Sequence, residues 1–436
     1  MKSICVVGTG YVGLVSGAGL ADFGNNVICV DIEKEKIEML NNGKIPIYEP
    51  GLKELVDSNV EAGRLEFSTD IDESIKKSEV IISAVGTPPG EGGEADLKAV
   101  WLVAKRFAKN LNSYKVFVNK STVPVGTGKK TYELIEKEKQ DDTDFDVVSN
   151  PEFLREGSAV KDFLIPDRIV VGTTSEKSKE IMKDVYKSLY IRNNPFVLTN
   201  VESSELVKYA SNAFLATKIT FINEIANLCD KVGADVHVVA DGMGMDGRIS
   251  SKFLHPGPGY GGSCFPKDTL ALTEIFKEQG IKSEIVESVV KVNEKQKALV
   301  VEKLKSFLPD LNGKTIAILG LSFKPNTDDT RESPSKVVIK KLQSEGATVK
   351  VFDPIAMEDF KVDFPDLNYQ KNIYDTVEGT DGLILMTEWN QFRNLDIEKI
   401  KKKMNKLIFI DTRNIYEPSE IRKYGFKFAN SGRSKI

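Results

Sequence analysis

Short apolar runs, each closed by a glycine or a small polar residue and followed by a stretch with helical spacing, alternate along the first third of the chain. Ile4–Val7 runs straight into Gly8-Thr9-Gly10-Tyr11-Val12-Gly13, and the small residues of Leu14 to Ala18 continue as a helix. Val27–Val30 ends in Asp31, and Val80–Val85 ends in Gly86-Thr87-Pro88. Val116–Val118 leads to Lys120-Ser121-Thr122-Val123-Pro124, and Asp146–Val148 leads to Asn150-Pro151-Glu152. Strands separated by helices predict a parallel, doubly wound sheet. Ligands of such sheets lie beyond the C-terminal ends of the strands, where Thr87, Thr122 and Glu152 fall. Taken singly, each is equally a capping or turn residue.

The pattern returns late in the chain. Ile316-Ala-Ile-Leu-Gly320-Leu-Ser-Phe323-Lys324 lies on Ile4 to Val12 without a gap, with the third glycine lost and a lysine gained. Val349–Asp353, Gly382–Met386 and Leu407–Arg413 then match the second, fourth and fifth strands. Between the halves, Glu202–Val232 and Ser283–Phe307 carry long helical patterns. The fold class expected is α/β: two Rossmann-like doubly wound domains, 1–199 and 301–436, joined by a helical connector over 200–300. A long connecting helix often supplies a dimer face, so a homo-oligomer, a homodimer at the least, is expected.

Composition removes several function classes. With 436 residues, 41% hydrophobic and 28% charged, the chain suits two or three soluble globular domains. Lys+Arg 60 against Asp+Glu 64 leaves a net charge of −4, so no basic field recommends nucleic acid or an anionic membrane. The apolar runs fall far short of the roughly 18 residues that span a bilayer, and no signal segment precedes them, so a cytoplasmic protein is expected. The four cysteines form no CxxC pair, and neither of the two histidines sits in a ligand cluster; no metal is expected. Gly313-Lys314-Thr315 resembles the end of a P-loop, but Leu308 stands where that motif needs a glycine.

The glycine motif of the first turn carries chemistry in context. Gly8, Gly10 and Gly13 open a helix whose free N–H groups and dipole suit a pyrophosphate, and a side chain at Gly10 would block the approach. Asp31 ends the second strand, where a carboxylate accepts ribose hydroxyls. No arginine follows it to meet a 2′-phosphate, which favours NAD over NADP. The second turn is not built for a dinucleotide. With Lys324, Arg331 and Arg413 near strand ends, it suits a different phosphate-bearing molecule, which points to a substrate with a nucleotide handle.

Asp241–Gly262 holds seven glycines in 22 residues, too many for regular structure, and leads to Ser263-Cys264-Phe265-Pro266-Lys267-Asp268. Cys264 therefore has a different setting from Cys5, Cys29 and Cys229, which fall on apolar strands or an apolar helix face. As a nucleophile it needs a cation or helix N-terminus nearby, and Lys208 or Lys267 would serve. Glu205, Lys208 and Asn212 share one helix face. A solvated Glu–Lys pair is the plain reading; polar groups pointing into a cleft is the other.

These motifs resemble the UDP-glucose/GDP-mannose dehydrogenase family over essentially the whole length: Gly8 to Gly13, Ser121 to Gly126, Asn150 to Gly157, Glu205 to Phe214, Phe253 to Asp268 and Gly320 to Pro334. The resemblance implies oxidation of the C6 alcohol of a nucleotide sugar to a carboxylate with two NAD, and makes 1–199 the NAD-binding domain and 301–436 the UDP-sugar domain. It implies Cys264 as nucleophile and Lys208, Asp268, Asn212, Glu152 and Thr122 as its catalytic partners, with the base roles of Asp268, Glu152 and Thr122 left open. It implies Gly8, Gly10, Tyr11, Val12, Gly13, Asp31, Lys36, Thr87, Thr122, Lys267 and Arg331 around NAD. It also implies Glu152, Phe153, Leu154, Arg155, Lys208, Asn212, Phe253, Leu254, His255, Pro256, Gly257, Gly261, Phe323, Lys324 and Arg413 around the sugar nucleotide, with Arg248 completing a neighbouring subunit's site. Pro258 to Asp268 looks like the UDP-glucose branch rather than the GDP-mannose or N-acetylated UDP-sugar branch, the last of which tends to carry histidine where Ser263 stands. Three other readings fit less well. A short-chain epimerase needs Tyr-x-x-x-Lys, and none of the 12 tyrosines has lysine four residues on. An NAD-sensing binding protein, or a two-electron hydroxyacid dehydrogenase, leaves Cys264 without a purpose.

Overall fold

The computed structural model describes residues 1–90, 92–191 and 195–433. It divides into two compact units, Met1–Ser211 with Glu274–Gly280 and Asn212–Thr273 with Ile281–Ile436. The first unit is built on strands β1 (Ser3–Val7), β2 (Asn26–Val30), β3 (Leu65–Ser68), β4 (Val80–Ser83), β5 (Lys115–Asn119), β6 (Phe145–Ser149), β7 (Ile169–Gly172) and β8 (Phe196–Thr199). They lie in the order β3-β2-β1-β4-β5-β6-β7-β8. The first six follow the Rossmann order; β7 and β8 pair in parallel with each other, while β7 meets β6 antiparallel at Ser149 and Gly172.

The continuous apolar runs are explained by burial on both faces. Ile4 and Val6 pack with Leu14, Val15 and Ala18 of the Tyr11–Asp22 helix on one side. Cys5 and Val7 pack with Ile81, Phe107 and Phe117 on the other. Each Val, Leu, Ile or Phe among them contributes on the order of 1.5–3 kcal/mol.

The second unit carries β9 (Thr315–Leu319), β10 (Thr348–Phe352), β11 (Asn368–Tyr369), β12 (Gly382–Leu385), β13 (Ile408–Asp411) and β14 (Lys427–Asn430). Their order, β11-β10-β9-β12-β13-β14, repeats the first six positions of the other sheet, with all neighbours parallel. Helices Val201–Val232 and Glu284–Lys305 stand where the helical patterns lay, within two residues at each end. The strands β3, β7, β8, β11 and β14 lie outside the runs read from the sequence.

Two expectations are corrected here. The Asp241–Gly262 segment is not wholly irregular, because the Val236–Gly244 helix takes in its first residues; Asp235 caps that helix by accepting from the His237 amide, and Val236 and Ala240 bury one face. The ungapped match of the two turns also ends early. Tyr11 and Val12 open a helix, whereas Phe323 and Lys324 lie on a loop that reaches the Pro334–Ser344 helix only at Pro334.

Candidate active site

The turn after β1 fits a dinucleotide. Gly8 is left-handed (φ +101°), its amide donates to Val30, and a Cβ there would come within 2.8 Å of the Ala84 carbonyl oxygen. A Cβ on Gly13 would lie 1.8 Å from the Gly8 carbonyl oxygen, but one on Gly10 would meet nothing within 4 Å. The Tyr11–Asp22 helix has no side-chain cap at Gly10, so open space lies before its N-terminus, as a pyrophosphate requires. The buried Asp31 accepts from the Thr9 amide and hydroxyl, both at 2.8 Å, and from the Glu33 amide. Burial raises its proton affinity, but those hydrogen bonds and the Lys36 charge outweigh it and hold the carboxyl below its ordinary range. Ribose hydroxyls would thus meet a full carboxylate. Lys36 itself pairs with Glu33 at 2.8 Å. The Tyr11 hydroxyl accepts from the Gly157 amide, and Val12 packs on the core.

Beyond the strand ends of the same unit, Thr87 donates to the Thr122 carbonyl at 2.9 Å. Glu152 and Lys208 form a buried ion pair at 2.9 Å, and the other Glu152 oxygen accepts the Leu154 amide at 2.6 Å. Burial pushes the Glu152 carboxyl up, and the Lys208 charge and hydrogen bond, with Leu154 and Lys120, pull it below its usual value. Two cations approach the Phe153 ring, the Arg168 guanidinium at 3.5 Å and the Lys208 ammonium at 5.4 Å from its centroid. Arg155 forks onto Asp162. Lys120 and Arg168 were not singled out by sequence; Lys120 is buried against Asn150 and Tyr186. Glu205 is no solvated partner of Lys208. It is buried and accepts the Gly126 and Gly128 amides, both at 2.7 Å, at the start of the Thr127–Glu138 helix. That burial raises its carboxyl to about 7.

In the second unit, Asp268 is fully buried and accepts from Asn212 at 2.6 Å and Lys267 at 2.5 Å. Cys264 directly precedes the Phe265–Glu278 helix, and its carbonyl accepts the Asp268 amide; the residue therefore stands at the positive end of a helix dipole. Of the four cysteines, Cys5, Cys29 and Cys229 are buried and Cys264 is half-exposed. Burial pushes the Cys29 thiol up to about 12 and raises Cys5 and Cys229 as well.

The loop before Cys264 packs against the turn after β9. The Gly262 amide donates to the Arg331 carbonyl at 2.9 Å. A Cβ on Gly261 would lie 2.3 Å from the Glu332 carbonyl oxygen, and one on Gly262 would lie 2.7 Å from the Phe323 ring. Arg413 donates to the Phe323 and Met386 carbonyls, and the Lys324 ammonium lies 5.2 Å from the Phe323 centroid. Leu254, Pro256 and Gly257 are buried, His255 is exposed and Phe253 is left-handed. Arg331 forks onto Asp329 and the exposed Arg248 onto Asp246. Among the described residues no group of three potential ligands suits a metal, and no helix is long and apolar enough to cross a membrane.

The doubled Rossmann order, the open glycine turn and the cysteine at a helix start define a nucleotide-sugar dehydrogenase. The chain belongs to the UDP-glucose/GDP-mannose dehydrogenase family. Residues 2–190 match its NAD binding domain, 202–295 its central domain and 317–418 its UDP binding domain. NAD is its cofactor. The chain is 50% identical over 434 residues to the UDP-glucose 6-dehydrogenase of Rhizobium meliloti, covering 99% of each. It is 47% identical over 437 residues to a UDP-glucose 6-dehydrogenase of Bacillus subtilis, covering 100% of this chain and 94% of the relative. A UDP-glucose dehydrogenase from Pyrobaculum islandicum superposes with a TM-score of 0.93 at 37% identity, covering 100% of this chain and 98% of that one.

Proposed function

We propose that the chain oxidises UDP-glucose to UDP-glucuronate with two NAD through a covalent Cys264 intermediate. Cys264 carries the reading: it is the half-exposed thiol of the four, at a helix N-terminus that favours the thiolate. NAD, held by Gly8 to Gly13 and Asp31, supplies the hydride acceptor. As the first hydride leaves C6 and the alcohol proton passes to a base, the sugar becomes an aldehyde. The thiolate adds to its carbonyl carbon, forming the C–S bond of a thiohemiacetal. Loss of the second hydride leaves a thioester, and water cleaves the C–S bond to give the carboxylate and the thiol. Lys208 and Asn212, one turn apart on one helix, supply donors for the oxyanions. Asp268, Glu152 and Thr122 serve the proton transfers.

Phe153, Leu154, Arg155, the Phe253–Gly257 segment, Gly261, Phe323, Lys324 and Arg413 hold the sugar nucleotide in this reading, Lys36, Thr87, Lys267 and Arg331 attend the cofactor, and Arg248 serves a neighbouring subunit. The domains are 1–199, 200–300 and 301–436, in a cytoplasmic homodimer. An exposed apolar stripe on the Val201–Val232 helix, formed by Leu206, Phe214, Phe221, Leu228 and Val232, supports the dimer. The test is stoichiometry. With excess NAD, each UDP-glucose consumed yields two NADH; one NADH per sugar, or turnover of GDP-mannose in place of UDP-glucose, overturns the reading.

A further inference from the structure

The loop that delivers Cys264 has few side chains of its own to fix it, since Gly257, Gly259, Gly261 and Gly262 make up much of it. Its backbone is nonetheless buried, and buried peptide groups must find partners. They find side-chain amides. The Asn223 carboxamide oxygen accepts the Gly257 amide at 2.8 Å, and Gln296 donates to the Gly257 carbonyl at 2.9 Å while accepting from Asn227. Asn293 takes both sides of one residue: its Oδ1 accepts the Tyr260 amide at 2.8 Å, and its Nδ2 donates to the Tyr260 carbonyl at 3.1 Å. Asn223, Asn293 and Gln296 are 1%, 2% and 5% exposed, so water does not replace them. The fit leaves no slack, because a Cβ on the left-handed Gly259 would come within 3.0 Å of Asn293 Oδ1.

We infer that Asn293 is a positioning residue for the Cys264 thiol, acting by holding the Tyr260 peptide groups so that the remaining residues enter the Phe265–Glu278 helix with the sulfur at a fixed place. The inference rests on the reading of Cys264 as nucleophile. The Asn carboxamide offers an acceptor and a donor side by side, which its closest isosteres do not. Asp cannot donate to the Tyr260 carbonyl, and Ala or Leu leaves both peptide groups buried without partners, at about 1–3 kcal/mol each. A rate cost comes in addition to the stability cost, because a misplacement of the reacting atom by about 1 Å is worth roughly 100-fold.

The test uses the full-length enzyme with Asn293→Ala, Asn293→Asp and Val301→Ala. Val301 is buried on the same helix, in the core of the second sheet, and serves as the purely structural control. Steady-state kcat and KM are measured with the rate of Cys264 alkylation by iodoacetamide, read by mass spectrometry. Asn293→Ala is expected to lower kcat about 100-fold and Asn293→Asp about 10-fold, to change the alkylation rate of Cys264 severalfold, and to leave KM for NAD unchanged. Val301→Ala leaves kcat and alkylation as in the parent despite a lower Tm. If the Asn293 variants match Val301→Ala in kcat and alkylation, the inference is overturned. If Cys264→Ala still forms two NADH per sugar, the nucleophile reading falls instead.

Discussion

The turns after β1 and β9 start alike and end differently. In both, a left-handed glycine, Gly8 at φ +101° or Gly320 at φ +100°, donates its amide to the last residue of the neighbouring strand. In both, an aspartate after that strand accepts backbone amides of the turn. Asp31 takes three donors, from Thr9 and Glu33. Asp353 is wholly buried and takes six: Leu321, both groups of Ser322, Trp389, Ile355 and Ala356. The first carboxylate keeps capacity for a ligand, while the second is consumed by the protein. After Gly8 the helix begins within three residues and a Cβ on Gly10 would meet open space; after Gly320 a loop bearing Phe323, Lys324 and Arg331 intervenes before the Pro334–Ser344 helix. The same fold thus yields a dinucleotide site when the turn stays short and a different anion site when it is lengthened.

The comparison breaks most visibly in stability. Asp353→Asn is expected to cost about 3 kcal/mol in urea unfolding, because several charge-assisted hydrogen bonds are lost together. Asp31→Asn costs less but raises KM for NAD about tenfold, a loss of roughly 1.4 kcal/mol of binding. If the two variants exchanged these phenotypes, the distinction between ligand acceptor and internal anchor would be wrong. An effect of intermediate size separates the turns by ligand. Lys324→Ala raises KM for UDP-glucose about tenfold and leaves KM for NAD alone, whereas Gly10→Ala raises KM for NAD with an unchanged Tm, since its Cβ meets no protein atom within 4 Å. The remaining effect is a pH slope in the first unit. The Glu205 carboxyl, raised from its ordinary 4.5 to about 7, holds a proton in the folded chain that the unfolded chain releases across that interval. Stability therefore falls as pH rises between those values, and Glu205→Gln flattens the slope in thermal melts.

Much of this was legible in the sequence. The strands of the first sheet's Rossmann half and their repeats are mostly buried apolar runs, except the short or mixed β3, β11 and β14, whose polar residues hide the period. β7 and β8 add to the Rossmann core beyond the pattern that the motifs imply. At the site, spacing put Glu205, Lys208 and Asn212 on one helix face, but not what each would meet: two helix-start amides, Glu152 and Asp268 respectively. Asn293 and Gln296 were silent because a polar residue on a helix declares nothing about a peptide more than thirty positions away. Arg168 gains its interest only from the Phe153 ring beneath it.

The grip on the Gly257–Gly262 segment has a consequence for motion. Loops ordinarily open at little cost, since their amides face water. Here the amides of Gly257, Tyr260 and Gly262 are bonded to Asn223, Asn293 and the Arg331 carbonyl, so freeing the segment means exposing buried carboxamides from two helices at once. A stretch without helix or strand is thereby as slow to breathe as the core around it, and the many glycines lend it shape rather than flexibility.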